Sequence, residues 1–333
     1  MKKRIRKKTV ALILGCMLLL STIFLSACSL PNPPGENSSH DEVFRIGYQK
    51  NGPLLILKEL GTLEDRLEPL GYKVEWYEFQ AGPALLEALN AGSIDFGRSG
   101  DSPPIFAQAS NSALQYVAAG KSKFEGSGIL VKNDSSIKTL EDLKGKKIGF
   151  AKGSSSHYLL VKALEKAGLS YSDIEPAYLS PGDARIAFEK KEIDAWVVWD
   201  PFTANTQLQA DATLLVNGKG LTSDRDFFLA SSDFLQENED IIKVVMEEIQ
   251  KSCQWANENP EDLTKMLSSI LGIDEASMRM AVERRVYGVE EISDSIIKEQ
   301  QEIADTFYNL QLIPKKVKVN ENVYTIDLKD EEK

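Results

Sequence analysis

The sequence predicts an α/β protein built from two related lobes. Two observations carry this expectation. The first is a repeated order of short apolar run, Gly/Pro/Ser junction and amphipathic run, which is the pattern of parallel strands alternating with covering helices. The second is an internal repeat. Phe79–Ala84 (FQAGPA), Gly92–Asp95 (GSID) and Gly100–Pro103 (GDSP) are echoed about 100 residues later by Leu179–Ala184 (LSPGDA), Lys191–Asp194 (KEID) and Trp199–Pro201 (WDP). Each copy holds a helix start, an Ile-Asp strand start and an Asp/Pro helix start, so one copy per lobe is expected.

The elements follow in order. Residues 1–27 read as an address: Lys2, Lys3, Arg4, Arg6, Lys7 and Lys8 precede a largely apolar run, Val10–Leu25. That run is shorter than the roughly 20 residues of a spanning helix. It ends in Leu25-Ser26-Ala27-Cys28, a lipobox, in which Cys28 is diacylglycerol-modified after cleavage before it. A lipid at Cys28 would hold the chain at a membrane surface without crossing it. Residues 28–42, with Pro31, Pro33, Pro34 and Gly35, lack apolar periodicity and read as a flexible tether. Strands are then expected at Phe44–Tyr48, Val74–Phe79, Ser93–Gly97, Lys147–Ala151 and Ala195–Trp199. Helices are expected at Pro53–Leu60, Pro83–Ala91, Pro103–Ala109 and Ser155–Ala167, several opened by proline at the first helical position. Four C-terminal helices, Ile241–Asn257, Pro260–Leu271, Glu275–Arg285 and Ser293–Leu310, show apolar residues at helical spacing. The expected partition is 43–127 for the first part of lobe 1, 128–227 for lobe 2, and 228–333 for a helical part returning to lobe 1. The chain is expected to cross near Gly128–Val131 and again near Phe227–Ala230.

Charge and cysteine use narrow the function classes. Without residues 1–27, which hold six basic and no acidic residues, 33 Lys+Arg face 50 Asp+Glu, a net of −17. Such a balance excludes nucleic acid as a partner class. Of three cysteines, Cys16 lies in the address and Cys28 is the lipidation residue, so Cys253 has no partner for an intramolecular disulfide. His40 and His157 are the two histidines of the chain, too few for a histidine-rich metal site. No metal and no cofactor is expected.

The strongest local signal is Lys146–His157 (KKIGFAKGSSSH). A strand ends, Gly153 permits a tight turn, and Ser154, Ser155 and Ser156 open a helix. The first amides of a helix lack intrahelical partners, and its dipole places about half a positive charge there. With three hydroxyls added, this is a site for a small anion; simple N-capping would need a single serine. The Gly-Lys-Ser order of a triphosphate loop is absent. Similar junctions at Gly82-Pro83, at Gly100-Asp101 and after Gln49 would converge on the same cleft, since ligands of α/β sheets lie beyond the carboxyl ends of strands. Trp196 and Trp199 are three apart in one strand and so face opposite ways. Trp199, beside Asp200-Pro201, is the one expected at the cleft, as a wall for an alkyl group. Arg284-Arg285 is a paired arginine; Arg285 could give a forked contact to an acidic oxygen pair, although surface pairs of this kind are often only solvated.

Taken together, these segments resemble the aliphatic sulfonate-binding proteins of ABC transporters, within the sulfonate, nitrate and taurine solute-binding family. The resemblance spans about residues 44–320. It is carried by Arg45–Lys50 (RIGYQK), Glu78–Pro83 (EFQAGP), Leu86–Asn90 (LEALN) with Gly92–Asp95, Gly100–Gln108 (GDSPPIFAQ), Lys152–His157 (KGSSSH), Asp194–Trp196 with Trp199–Pro201, and Leu312–Lys316 (LIPKK). It implies a type II periplasmic-binding-protein fold, with a hinge and a ligand cleft between lobes. The implied ligand is a small organic anion, an alkanesulfonate; the implied partner is an ABC transporter permease. The chain is expected to act as a monomer, lipid-anchored on the extracytoplasmic face of the membrane. Ser154–Ser156, Gly82-Pro83 and Gly100-Asp101 match the family's cleft motifs. Arg285 matches a family arginine, but Val286-Tyr287-Gly288 follows where prolines are expected, which leaves its role open. Taurine, nitrate or a thiamine precursor are the alternative ligands within the fold.

No catalytic constellation is legible. A Ser-His-Asp triad would have to use His157 beside the serines on one helix start, not aimed at them across a cleft. A thiamine-precursor synthase of this fold is expected to carry a cysteine-rich motif, which is missing. A surface adhesin or sensor is a third class, separable by titration with small anions.

Overall fold

The structure, a computed structural model, describes residues 42–326. The expected leader, Cys28 and nearly all of the expected tether lie outside the described residues.

In chain order the elements are β1 (Glu42–Tyr48), α1 (Pro53–Leu60), α2 (Thr62–Leu67), β2 (Tyr72–Glu78), α3 (Gly82–Asn90), β3 (Phe96–Gly100), α4 (Ser102–Ala109), β4 (Leu114–Gly120), β5 (Ser127–Lys132), β6 (Lys147–Phe150), α5 (Ser155–Lys166), β7 (Glu175–Tyr178), α6 (Pro181–Glu189), β8 (Ala195–Trp199), α7 (Phe202–Gln209), β9 (Ala212–Asn217), β10 (Asp226–Ser231), α8 (Ser232–Glu237), α9 (Glu239–Glu258), α10 (Pro260–Leu271), α11 (Glu275–Glu283), β11 (Val289–Glu290) and α12 (Asp294–Asn309). They build two sheets. The first has the order β11-β4-β10-β3-β1-β2 and the second β7-β6-β8-β5-β9. In each, three mutually parallel strands (β1, β2, β3 and β6, β7, β8) adjoin an antiparallel one: β10 runs against β3 and β4, and β5 against β8 and β9. The antiparallel strand is in both cases the one that arrives from the other lobe.

The internal repeat has a physical basis. In lobe 1, Asp95 sits just before β3. Its amide donates to the Arg45 carbonyl (2.8 Å) and its carboxylate accepts from the Arg45 amide (2.8 Å). In lobe 2, Asp194 makes the same two bonds to the backbone of Lys147, also at 2.8 Å. The isoleucine before each aspartate packs where its neighbouring strand carries glycine. A Cβ on Gly47 would lie 2.5 Å from Ile94 Cδ1, and one on Gly149 2.4 Å from Ile193 Cδ1. Each Ile-Asp pair thus buries an apolar side chain, worth about 1.5–3 kcal/mol, and pins the edge of one strand to the next. This also explains why β3 starts at Phe96 rather than at the expected Ser93: Asp95 is used for pinning before the ladder begins.

Both faces of each sheet are covered. One face of the first sheet packs on α1, α2, α9, α10 and α11 through residues such as Leu54, Ile242, Met246 and Cys253. The other packs on α3, α4 and α12 through Leu85, Ile105 and Phe307. The buried Cys253 thiol is pushed up to about 12 by loss of solvent. Leu159, Leu160 and Phe150 cover one face of the second sheet, and Phe188 and Trp196 the other. Gly128–Val131 and Phe227–Ala230, where the crossings were expected, are strand residues within β5 and β10. The connecting segments are residues 121–126 and 218–225, immediately before those strands.

Candidate functional site

The lobes meet along the carboxyl ends of the parallel strands. Three adjoining cavities lie there, all lined by Asn51 and Trp199; the largest has about 280 Å³ of free space.

The serine helix forms one wall. Gly153 takes φ +72°, and a Cβ there would meet the Phe106 ring at 3.3 Å, so glycine serves both the turn and the approach of α4 from the other lobe. His157 is fully buried and holds this turn: Nδ1 accepts from the Gly153 amide (3.2 Å) and Nε2 lies 3.0 Å from the Tyr171 hydroxyl. Burial, with Lys152 adding to it, lowers its pKa to about 3, so it is a neutral structural group. The three serines diverge. Ser154 Oγ donates to the Ala151 carbonyl (2.7 Å) rather than capping the helix. Ser156 is fully buried and is not among the cavity-lining residues. Ser154 and Ser155 line the cavity, and Ser155 faces lobe 1 so closely that a Cβ on Gly100 would lie 2.2 Å from its Oγ. Side-chain divergence along a helix turn of 100° per residue accounts for this narrowing from three hydroxyls.

The opposite wall comes from lobe 1. Gly82 lines the same cavity; a Cβ there would lie 2.4 Å from Ser99 Oγ and 2.7 Å from Pro103 Cγ. Pro83 follows it at the start of α3 and does not line the cavity. Asp101 is buried directly after Gly100, with Oδ1 accepting from the Ser102 hydroxyl (2.9 Å). Burial, and secondarily Asp224, push its carboxyl up to about 7, against Lys123 and the Ser155 and Ser102 hydroxyls. Gln49 lines two cavities, and its Nε2 donates to the Arg98 carbonyl (3.1 Å). Trp199 ends β8 and lines all three cavities, whereas Trp196 is buried against Phe188 and Phe202. Asp200 follows; burial raises it to about 6 against the pull of Arg284, whose Nη1 is 3.6 Å away.

The site is more cationic than a cradle of neutral donors. Arg98, 2% exposed, reaches from the middle of β3 to Asp226 (2.6 Å) and to Asn51 Oδ1 (2.5 Å). Arg285 reaches the same Asp226 oxygen and lies with its guanidinium carbon 4.8 Å from the Tyr287 ring centre. Lys123 binds Asp224 (2.6 Å) and lies 3.7 Å from Asp226. Arg284 donates to Gln207 Oε1 across the lobes (2.9 Å). Burial would raise Asp226, but Arg98, Lys123 and Arg285 hold it well below the usual carboxylate range. Among the described residues, Arg98 Nε, Arg284 Nη1 and Arg285 Nε are buried without a hydrogen-bond partner. Sequence reading missed Arg98, Lys123, Asp224 and Asp226, which lie outside the Gly/Pro/Ser helix starts, and did not single out Asn51 within the Gln49–Pro53 junction; of the Arg284-Arg285 pair it chose Arg285 alone. Arg98 left one signal, a lone charge between small residues in the strand Phe96–Gly100 (FGRSG). Arg284 and Arg285 reach the cleft because α11 stops at Glu283, two residues before the expected end.

Further polar contacts join the lobes beside the cavities: Asn205 Nδ2 of α7 donates to Asp274 (3.2 Å) and to Ser277 (3.3 Å) at the start of α11. The whole arrangement presents hydrogen-bond donors and cations to a space closed on one side by an indole.

The comparisons with known proteins agree with one another. The family model described as NMT1/THI5 like matches residues 70–263, more than half of the chain. An aliphatic sulfonates-binding protein of Escherichia coli (strain K12) is 37% identical over 319 residues, 96% of this chain and 97% of the relative. One of Bacillus subtilis (strain 168) is 36% identical over 312 residues, 93% and 94% of the two chains. The solved alkanesulfonate-binding protein SsuA from Xanthomonas axonopodis pv. citri, bound to MOPS, superimposes with a TM-score of 0.82 at 41% identity, covering 85% of this chain and 98% of that one. The architecture is accordingly the periplasmic-binding-protein fold, and the chain belongs to the NMT1/THI5-like family, among the aliphatic sulfonate-binding proteins of ABC transporters.

Proposed function

We propose that this chain captures an alkanesulfonate between its lobes and delivers it to an ABC importer permease for sulfur acquisition, while Cys28 anchors it by lipid to the extracytoplasmic face of the membrane. It is a binding protein and not an enzyme. The observation that carries the ligand reading is the meeting, around one set of cavities, of the α5 amino terminus with Ser154 and Ser155, the buried cations Arg98 and Lys123, and the Trp199 indole. A sulfonate is ionised at all physiological pH, offers three acceptor oxygens and donates nothing. It matches helix amides, hydroxyls and guanidinium N–H groups, which all donate. Gly82 and Gly100 let the two walls approach, and Gln49, Asp101, Asp200 and Arg285 set the charge and shape around the head group. The alkyl part lies against Trp199 and extends toward the larger cavity bordered by Phe202 and Ile273. Binding draws the lobes together about the two connecting segments, because the anion then sees donors from both sides.

The support for anchoring is the order of basic residues, apolar run and Leu25-Ser26-Ala27-Cys28. The test of the ligand is calorimetric titration of the purified protein, in a sulfonate-free buffer, with ethanesulfonate, taurine, nitrate and sulfate. Saturable binding of ethanesulfonate, tighter than the other three, is expected. Preference for nitrate or sulfate, or no binding of ethanesulfonate, refutes the reading.

A further inference from the structure

Lys123 lies in the first segment that connects the lobes, residues 121–126, and Asp224 in the second, residues 218–225. The segments run side by side. The Ser122 hydroxyl donates to the Ser223 carbonyl (2.5 Å), the Lys123 amide to the same carbonyl (3.3 Å), and the Gly218 amide to the Phe124 carbonyl (3.0 Å). The Lys123 ammonium then ties them through Asp224 at 2.6 Å, and Asp224 also accepts from the Ser127 hydroxyl at the start of β5. Both ends of this pair are withdrawn from water: the Lys123 side chain is 11% exposed and that of Asp224 1%. Asp224 is held at φ +46°, the left-handed region, where a non-glycine residue stays only when its surroundings hold it. Lys123 and Asp224 are at the same time wall residues of the cavity that holds Ser155 and Gly82.

A cation shared by a hinge carboxylate and an anion cavity cannot serve both fully. We propose that Lys123 is a positioning residue that couples the anion site to the hinge, its ammonium divided between Asp224 and the bound head group. This rests on the anion reading given above. In the empty cleft the Lys123–Asp224 pair sets the resting angle of the two segments. When a sulfonate enters, its oxygens compete for the same ammonium, the pair weakens, and the segments are free to follow the lobes as they close. Asp224 is therefore an opponent of binding as well as a hinge residue.

Calorimetry with ethanesulfonate, and small-angle scattering without it, on the purified full chain and on Asp224→Asn, Lys123→Met and Lys123→Arg test this. Asparagine keeps the size of aspartate and tolerates the left-handed region, so Asp224→Asn removes the charge while its oxygen still accepts from Lys123 and the Ser127 hydroxyl can rotate to accept from its amide. With one buried negative charge gone from the wall, binding should tighten by about tenfold or more, the effect that an effective dielectric of about 20 gives for two unit charges as far as about 12 Å apart. Lys123→Met should weaken binding by at least that factor and change the ligand-free radius of gyration; Lys123→Arg should restore both. If the pair were only structural, Asp224→Asn would weaken binding; that outcome, or affinity unchanged from the parent, overturns the inference while leaving the anion reading intact. Should Lys123→Met fail to fold, the sign of the Asp224→Asn effect decides alone. A parent chain that binds no alkanesulfonate overturns the anion reading, and this inference with it.

Discussion

Gly100→Ala tests the site without removing any of its polar groups. The added Cβ would lie 2.2 Å from Ser155 Oγ and 3.4 Å from Ser155 Cβ. Gly100 is absent from the positive-φ residues, so alanine brings no backbone strain there. The oxygen distance is far inside contact, whereas the carbon distance is ordinary. The least costly response is rotation of the Ser155 hydroxyl out of its place between the lobes, with its backbone left where it is. If that hydroxyl donates to a sulfonate, the loss is one hydrogen bond to a charged group, about 1.5–3 kcal/mol, roughly ten- to 150-fold in dissociation constant. Ser155→Ala should cost the same amount by deleting the hydroxyl. The double variant should cost no more than either single one, because the methyl then occupies space that the missing oxygen has vacated. Calorimetry with ethanesulfonate on the four proteins, with thermal melts to show that each folds, makes the comparison. Full additivity of the two losses would mean that the methyl acts by wedging the lobes apart. Unchanged affinity in folded Gly100→Ala would refute the placement of the anion at Ser155.

Three further outcomes are expected. Sulfonate affinity should fall as pH rises from about 5 to about 8: burial raises Asp101 to about 7 and Asp200 to about 6, so their neutral forms, favoured beside an anion, prevail near pH 5 and are lost as pH passes those values. Because the ligand stays ionised throughout, a flat affinity profile between those limits would contradict this, and Asp101→Asn should remove most of the slope. Trp199→Ala should reduce affinity for butanesulfonate by up to roughly 50-fold more than for methanesulfonate, since the three extra methylenes are worth about 0.8 kcal/mol each when buried; equal losses would assign the indole to lobe packing. Cys28→Ala should release the chain from the membrane fraction and abolish its lipid mass increment, and a variant that stays as membrane-bound as its parent would show that another segment anchors it.

Local sequence was sufficient wherever the physics is local. A strand ended by glycine and followed by proline or serine turns readily into a helix, so the β6–α5 junction at Gly153 and the helix starts at Gly52-Pro53 and Gly82-Pro83 were legible without any tertiary knowledge. The Ile-Asp repeat was legible as a pattern, but its cause is not local: each aspartate binds the backbone of a strand 50 or 47 residues earlier, at Arg45 and at Lys147. What the serines do individually was not legible, because capping, back-bonding and facing a cavity use the same residue type. The helix turn separates the three side chains, but only the folded chain shows that Ser156 is the buried one and that Ser155 faces Gly100. The cations were the least legible part. Arg98, Lys123 and Arg285 share Asp226 or its neighbour Asp224, yet they lie up to 187 residues apart in the chain, with nothing in their local sequence to link them. A buried charge is tolerable only when opposite charges and donors arrive from elsewhere in the fold to replace water. The sequence by itself therefore determined which segments turn, cap and repeat. The tertiary structure alone decided which charges meet in the cleft, since their stability depends on partners that only the folded chain brings within reach.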